Sequence, residues 1–318
     1  MASQTVESSF ESVAQLPESL LRGLLDRGDA QERVWAAWAL GTRLGAAFAI
    51  EAEPHASHDP DPGARRHLIV VLAGYGRRQA LCVLARFDPS SRVRATACQY
   101  LLKMDGKVSE EVLDRLRVDD SIVRQAILTW APPSAIEVDE LERAFVDRDE
   151  AVRSLVLESL GSSARTPWLG DALEHERSRP VRRRIVELLV PRADGVRLAL
   201  VAAHRSPHRA KILEALGSTK VRLPWSELLN VADHLSLDIA RSVLALARPE
   251  EIDSAWLMGT LERAASDPRH PEARPVAEAA LALLEGRTSL GADVKVRARG
   301  CAERAIPRGT ALAVRNFR

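Results

Sequence analysis

The chain has 318 residues, with 45 Lys or Arg against 44 Asp or Glu and a formal net charge of +1, so bulk charge does not make it a polyanion binder. Apolar residues make up 46% and aromatics only 4%, a composition that suits close-packed helices better than sheets. No apolar run reaches the roughly 18 residues that span a bilayer, and the stretch from Met1 to Glu7 lacks the basic segment and apolar core of a secretory signal. The three cysteines, Cys82, Cys98 and Cys301, form no CxxC, and their odd number argues against a disulfide framework. The expectation is a reducing, cytoplasmic compartment, no membrane contact and no cofactor.

In chain order, residues 1–16 are polar and read as an N-terminal arm. Pro17 opens the first clear helix, which runs to Leu25, because Pro at a first turn needs no N–H. After a turn at Gly28-Asp29, Val34, Ala37, Trp38 and Gly41 recur at helical spacing. Residues 51–63 carry three prolines, which predict an exposed loop in place of a regular helix. Paired helices are then predicted over 77–87 and 92–104, 109–118 and 121–131, 138–146 and 150–160, and 167–175 and 180–190. Beyond Val190 the register shortens, and further pairs follow at 224–232 with 237–247 and 252–265 with 272–284. The last stretch, 287–318, holds eight Arg or Lys against two acids and reads as a basic cap and tail.

A Val-Arg phrase organises these pairs. It returns at Val93-Arg94, Val123-Arg124, Val152-Arg153 and Val181-Arg182, with steps of 30, 29 and 29 residues. An acid stands six positions before the arginine in Asp88 to Arg94, Asp147 to Arg153 and Glu176 to Arg182. Traced backward, the phrase falls on Ala64-Arg65 and Val34-Trp35, with Asp59 and Asp29 at the same offset. Trp35 and Ala210 interrupt the arginine column, and Asp119 and Asp120 lie only five and four residues before Arg124.

The phrase Asp-x-x-x-x-Val-Arg on paired helices resembles HEAT repeats in their short bacterial form. The resemblance runs from about residue 29 to 190 and extends to 286. It implies an all-α protein, a right-handed α-solenoid of about nine HEAT-like helix pairs over 17–286, with second helices lining a concave face. A single pair of this length cannot bury its apolar stripe alone, whereas stacking makes one continuous core. Asp88, Arg94, Arg124, Asp147, Arg153, Glu176 and Arg182 are accordingly expected to pair between turns and adjacent helices, as a structural ladder.

Chemistry finds little foothold. His55, His58, Asp59, Asp61 and His67 cluster in sequence, but without rigid spacing, so no metal is expected. There is no P-loop, no Gly-x-Ser-x-Gly and no Gly-x-Gly-x-x-Gly. The chain is expected to be a non-enzyme, a scaffold or adaptor for a protein partner. The alternative is nucleic-acid binding: some alkylpurine DNA glycosylases are built from HEAT-like repeats with Trp, Asp and Arg on the concave face, and Trp130, Trp168, Trp225 and Trp256 are available. Trp130 replaces an apolar core position and is expected to be buried.

The candidate binding residues come from two places. On the second helices a ribbon beside the buried stripe reads Ala95/Gln99, Gln125/Thr129, Ser154/Glu158 and Arg183/Glu187, small, polar and nearly neutral, which favours protein over DNA. Residues 176–211 hold ten Arg or Lys against three acids, from which Arg183, Arg184, Arg205, Arg209 and Lys211 are taken as contact residues.

Overall fold

The computed structural model describes residues 10–132, 134–232 and 236–306. The extreme ends, which include most of the predicted arm and the end of the tail, lie outside these residues. Twenty α-helices occur among the described residues: α1 (Phe10–Ala14), α2 (Glu18–Arg27), α3 (Ala30–Leu44), α4 (Ala46–His58), α5 (Pro62–Gly74), α6 (Arg78–Phe87), α7 (Ser91–Asp105), α8 (Glu110–Val118), α9 (Ser121–Trp130), α10 (Val138–Ala144), α11 (Glu150–Leu160), α12 (Thr166–His175), α13 (Arg179–Leu189), α14 (Gly195–Arg205), α15 (Arg209–Gly217), α16 (Trp225–Ala232), α17 (Leu237–Leu246), α18 (Ser254–Ser266), α19 (Ala273–Glu285) and α20 (Ala292–Ala305). They form two compact units, Met1–Gly161 and Ser162–Arg318.

Each unit is an all-α solenoid of stacked helix pairs. In the first unit α2 pairs with α3, α4 with α5, α6 with α7, α8 with α9 and α10 with α11, while α3, α5, α7, α9 and α11 pack in succession. In the second unit α12 pairs with α13, α14 with α15, α16 with α17 and α18 with α19, and α13, α15, α17 and α19 pack in succession. Helix α20 lies against α18 and α19 and closes the apolar faces of that last pair with Ala298, Cys301, Ala302 and Ala305, all buried.

The 3.6-residue period explains why these segments are helices and which face they bury. Val93, Ala97, Cys98 and Leu101 of α7, Val123 and Ile127 of α9, Val152, Val156 and Leu160 of α11, and Val181, Ile185 and Leu189 of α13 are all buried. Each set spans one stripe of its helix, and each lies against the neighbours of its own unit. Local signals set the ends. Asp29 and Glu32 form a reciprocal capping box at the start of α3, and Gly106 closes α7 in the left-handed conformation that Cβ disfavours.

Two expectations need correction. Residues 51–58 are helical, the second half of α4, rather than loop. Only Pro54 lies inside that helix; Asp59 is its C-cap, and Pro62 starts α5 at a position that needs no N–H. Pro54 costs α4 one hydrogen bond, that of the Ile50 carbonyl. Phe48, Ala49, Ala52 and Ala56 on the same helix are fully buried, and that burial offsets the lost bond. The second correction is Trp130, which is 44% exposed. It ends α9, where the buried stripe passes through Leu128 instead, and the Lys103 ammonium sits 4.1 Å from its ring centroid.

The thiols follow the packing. Cys98 is buried, and desolvation, with Asp119 nearby, pushes its pKa up to about 12. Cys82 is partly exposed; burial raises its pKa while Arg78 works against the shift. Cys301 is buried on the inner face of α20. A thiol-reactive dye at neutral pH is therefore expected to label native protein at Cys82 alone, and slowly, with all three sites reacting in urea. Equal native rates at Cys82 and Cys98 would contradict the packing of α7.

Candidate functional site

The arginine near the start of α3, α5 and α7 does two things at once. Its guanidinium reaches back to the carbonyls that end the preceding first helix, and forward to the acid at the equivalent place in the next pair. Arg65 Nη1 donates to the Asp59 carbonyl at 2.7 Å, while Nε and Nη2 hold Asp88 Oδ2 and Oδ1 at 2.8 and 2.9 Å. Arg94 bonds the Asp88 carbonyl at 2.8 Å and Asp119 at 2.6 and 3.0 Å. Arg124 meets Asp147 at 2.5 Å, and Arg153 bonds the carbonyls of Asp147 and Arg148 at 2.9 and 3.0 Å. The planar fork of arginine is what allows this bidentate bridging.

The acids are equally occupied. Asp59, Asp88 and Asp119 are the C-cap residues of α4, α6 and α8. Each accepts a local backbone N–H: Asp59 from Asp61, Asp88 from Ser90 and Asp119 from Asp120, all at 2.8 Å. Asp147 accepts likewise from Asp149 at 2.8 Å. One carboxylate therefore fixes the turn within its own pair and the spacing to the pair before. Hydrogen bonds to these acids raise the pKa of Arg33, Arg65 and Arg94 above the ordinary arginine value, outweighing the desolvation that lowers it.

The column is not interrupted where sequence spacing placed the breaks. Arg33, two residues before Trp35, bonds Asp59 at 2.7 and 2.8 Å and the Gly28 carbonyl at 2.7 Å. Arg209, one residue before Ala210, bonds the carbonyls of Ala203 and His204 at 3.1 and 2.6 Å. A fixed register in sequence missed both, because the turns differ in length while the helix ends they bridge do not. Arg209 thus bonds backbone with its guanidinium while staying partly exposed.

The break lies on the acid side. Glu176 caps α12 and accepts from Ser178 N–H at 2.6 Å. The next C-cap, of α14, is Ser206. Its hydroxyl accepts the N–H of His208, two residues on, at 3.1 Å, the same local bond that the ladder acids make. It donates to the Glu174 carbonyl at 2.5 Å, and it carries no charge. Arg182 is 3% exposed. It bonds the carbonyls of Glu176 and Arg177 at 3.0 and 2.5 Å, while its buried Nε has no hydrogen-bond partner. Desolvation lowers its pKa, in contrast to the paired ladder arginines.

The remaining sequence candidates are scattered between the units. In the first, Gln99 is half-buried, Gln125 donates to Asp149 at 3.2 Å, and Glu158 is exposed. In the second, Arg183 and Arg184 share Glu187 at 3.1 and 3.4 Å, and Arg205 and Lys211 are exposed. The histidine-rich stretch is dispersed: His55 lies 3.7 Å from Asp26, the His58 ring sits on the Pro54 carbonyl, and Asp59 is held by Arg33.

Sequence reading missed one surface feature. Phe87, Val118 and Val146 are 68%, 70% and 84% exposed, and each immediately precedes a ladder acid. The ladder thereby sets one large apolar side chain at the same place in three successive pairs. Val146 also lines a cleft of about 520 Å³ with Leu116, Ala144, Arg117, Arg143 and Arg148. The signal was present as a large apolar residue one step before Asp88, Asp119 and Asp147, whereas His58 and His175 precede Asp59 and Glu176.

Comparison with known proteins bears on the first unit above all. A family model described as HEAT repeats matches residues 51–131. A solved structure of YibA from Escherichia coli aligns over 95% of this chain and 99% of that one, at 17% identity and a TM-score of 0.38, too loose a likeness to define a shared architecture. No curated protein matches the chain. No helix among the described residues is long and apolar enough to cross a membrane. Residues 51–131 are HEAT repeats, and the ladder of arginines that crosses them runs on either side of that match, from Arg33 to Arg209.

Proposed function

We propose that this chain is a non-catalytic scaffold that binds a protein partner, in keeping with its expected cytoplasmic location. The observation that carries the reading is the exposed column of Phe87, Val118 and Val146. Large apolar side chains exposed in register, rather than singly, characterise protein-contact surfaces. The neighbouring cleft adds Arg143 and Arg148 at its edge, which suits a partner segment with both apolar and polar groups. The ladder of the first unit supplies rigidity: with Arg65, Arg94 and Arg124 paired to Asp88, Asp119 and Asp147, it holds the column in place.

Replacing Phe87, Val118 and Val146 together by Ser is expected to leave helicity and the urea midpoint near wild type, because the three side chains are already in water. The triple variant is expected to lose the proteins that the wild-type chain retains from its native source. Unchanged retention removes this surface from the proposal. Gel shifts with double-stranded DNA and with RNA form the second arm. Binding that weakens steeply with salt, and that is lost on charge reversal at Arg183, Arg184 and Lys211, would replace the protein-scaffold reading with a nucleic-acid one.

A further inference from the structure

The ladder described above carries Asp59, Asp88, Asp119, Asp147 and Glu176 at its turns, and Ser206 stands where the next carboxylate belongs. We propose that the turn between α14 and α15 is a binding site for a small oxyanion, a phosphate or a carboxylate, which completes the ladder in place of the missing acid. The proposal is independent of the apolar column in the first unit.

Four observations converge there. Arg182 is buried with an unbonded Nε, and in the column to which it belongs Nε is the atom that faces the C-cap carboxylate. Arg177 and Lys211 are exposed and His208 is half-buried. Burial, Arg182, Lys211 and Arg177 together lower the pKa of His208, so these groups share one positive field. The carboxylates nearest Arg182 are already engaged: Glu176 holds the Ser178 N–H, and Glu214 pairs with Arg179 at 2.8 Å.

The turn also leads into the N-terminus of α15, where His208 is an N-cap without a side-chain cap bond. The first backbone N–H groups of a helix have no intrahelical acceptor and favour an anion. A helix start alone would not make a site. Here it coincides with a buried guanidinium whose Nε is unbonded and two exposed cations. An oxyanion matches the occupant used elsewhere in the ladder, since phosphate and carboxylate both present the paired oxygens that a guanidinium fork accepts.

The test is thermal unfolding of the full chain at constant ionic strength, with sodium chloride replaced stepwise by inorganic phosphate or by acetate. A ligand that binds only the folded state raises Tm with its concentration, so phosphate and acetate are expected to raise it and chloride is not; the stronger of the two identifies the preferred oxyanion. Ser206→Asp supplies the carboxylate internally. It is expected to melt higher than wild type in chloride and to lose the response to added anion. Should Ser206→Asp fail to fold, Arg177→Ala with Lys211→Ala removes only exposed charge and is expected to weaken phosphate binding by about 10-fold. Equal Tm in chloride, phosphate and acetate overturns the proposal, as does a wild-type response retained in either variant.

Discussion

Asp88→Ala is expected to destabilise the protein by roughly 3–5 kcal/mol, because it removes one partner of a buried ion pair and leaves the other charged. Asp88 and Arg65 are 5% and 6% exposed, and their two hydrogen bonds, at 2.8 and 2.9 Å, are parallel. The substitution also frees the Ser90 N–H that Asp88 accepts. Urea unfolding followed by circular dichroism would show the midpoint fall. The double replacement Arg65→Met with Asp88→Leu is expected to recover most of the loss, since a buried pair exchanged for apolar groups of similar volume is often neutral or stabilising. Glu51→Ala, which removes an exposed partner of Arg22, is expected to leave the midpoint unchanged. If Asp88→Ala behaved like Glu51→Ala, the ladder would be a consequence of stacking rather than one of its causes.

Much of this ladder was legible in the sequence, because repeat spacing and helix period are both local. Val93, Val123, Val152 and Val181 fell into register and are buried as a stripe requires. The α4 error came from counting prolines without asking where they sit. Pro62 precedes a helix and Pro54 is outweighed by Phe48 and its neighbours, a tertiary effect that no local rule carries. Arg33 and Arg209 were invisible for a different reason. A guanidinium finds a helix end by reach, and a side chain of that length absorbs a shift of one or two residues in the turn. The exposed column was missed because exposure belongs to the packed array: Phe87 ends an apolar helix pattern and looks in sequence like core. The absence of an acid at Ser206 was readable only once the residue that accepts an N–H in the turn after each first helix, rather than a fixed offset from arginine, proved to define the column.

Ser206→Asp is expected to do what few substitutions do, namely stabilise, by up to about 2.5 kcal/mol in phosphate-free buffer. Arg182 already bears the cost of burial: it is 3% exposed, its Nε is unbonded, and desolvation lowers its pKa. A hydrogen bond to a charged group contributes about 1.5–3 kcal/mol, and the Ser206 bond to the Glu174 carbonyl that would be lost is neutral, worth about 0.5–1.5 kcal/mol. The new carboxylate would keep the His208 N–H that Ser206 now accepts, as Asp88 and Asp147 keep theirs. The companion substitution, Arg182→Met, makes the prediction a cycle. In wild type it removes a buried charge with no ladder acid at the expense of two carbonyl bonds, and is expected to cost about 1–2 kcal/mol; in the Ser206→Asp background it also breaks a buried pair and is expected to cost roughly 3–5 kcal/mol. A change of that size between the two backgrounds identifies Arg182 as a ladder arginine whose acid is missing. Equal effects in both would mean that residue 206 does not face the guanidinium, and the ladder would then end at Glu176.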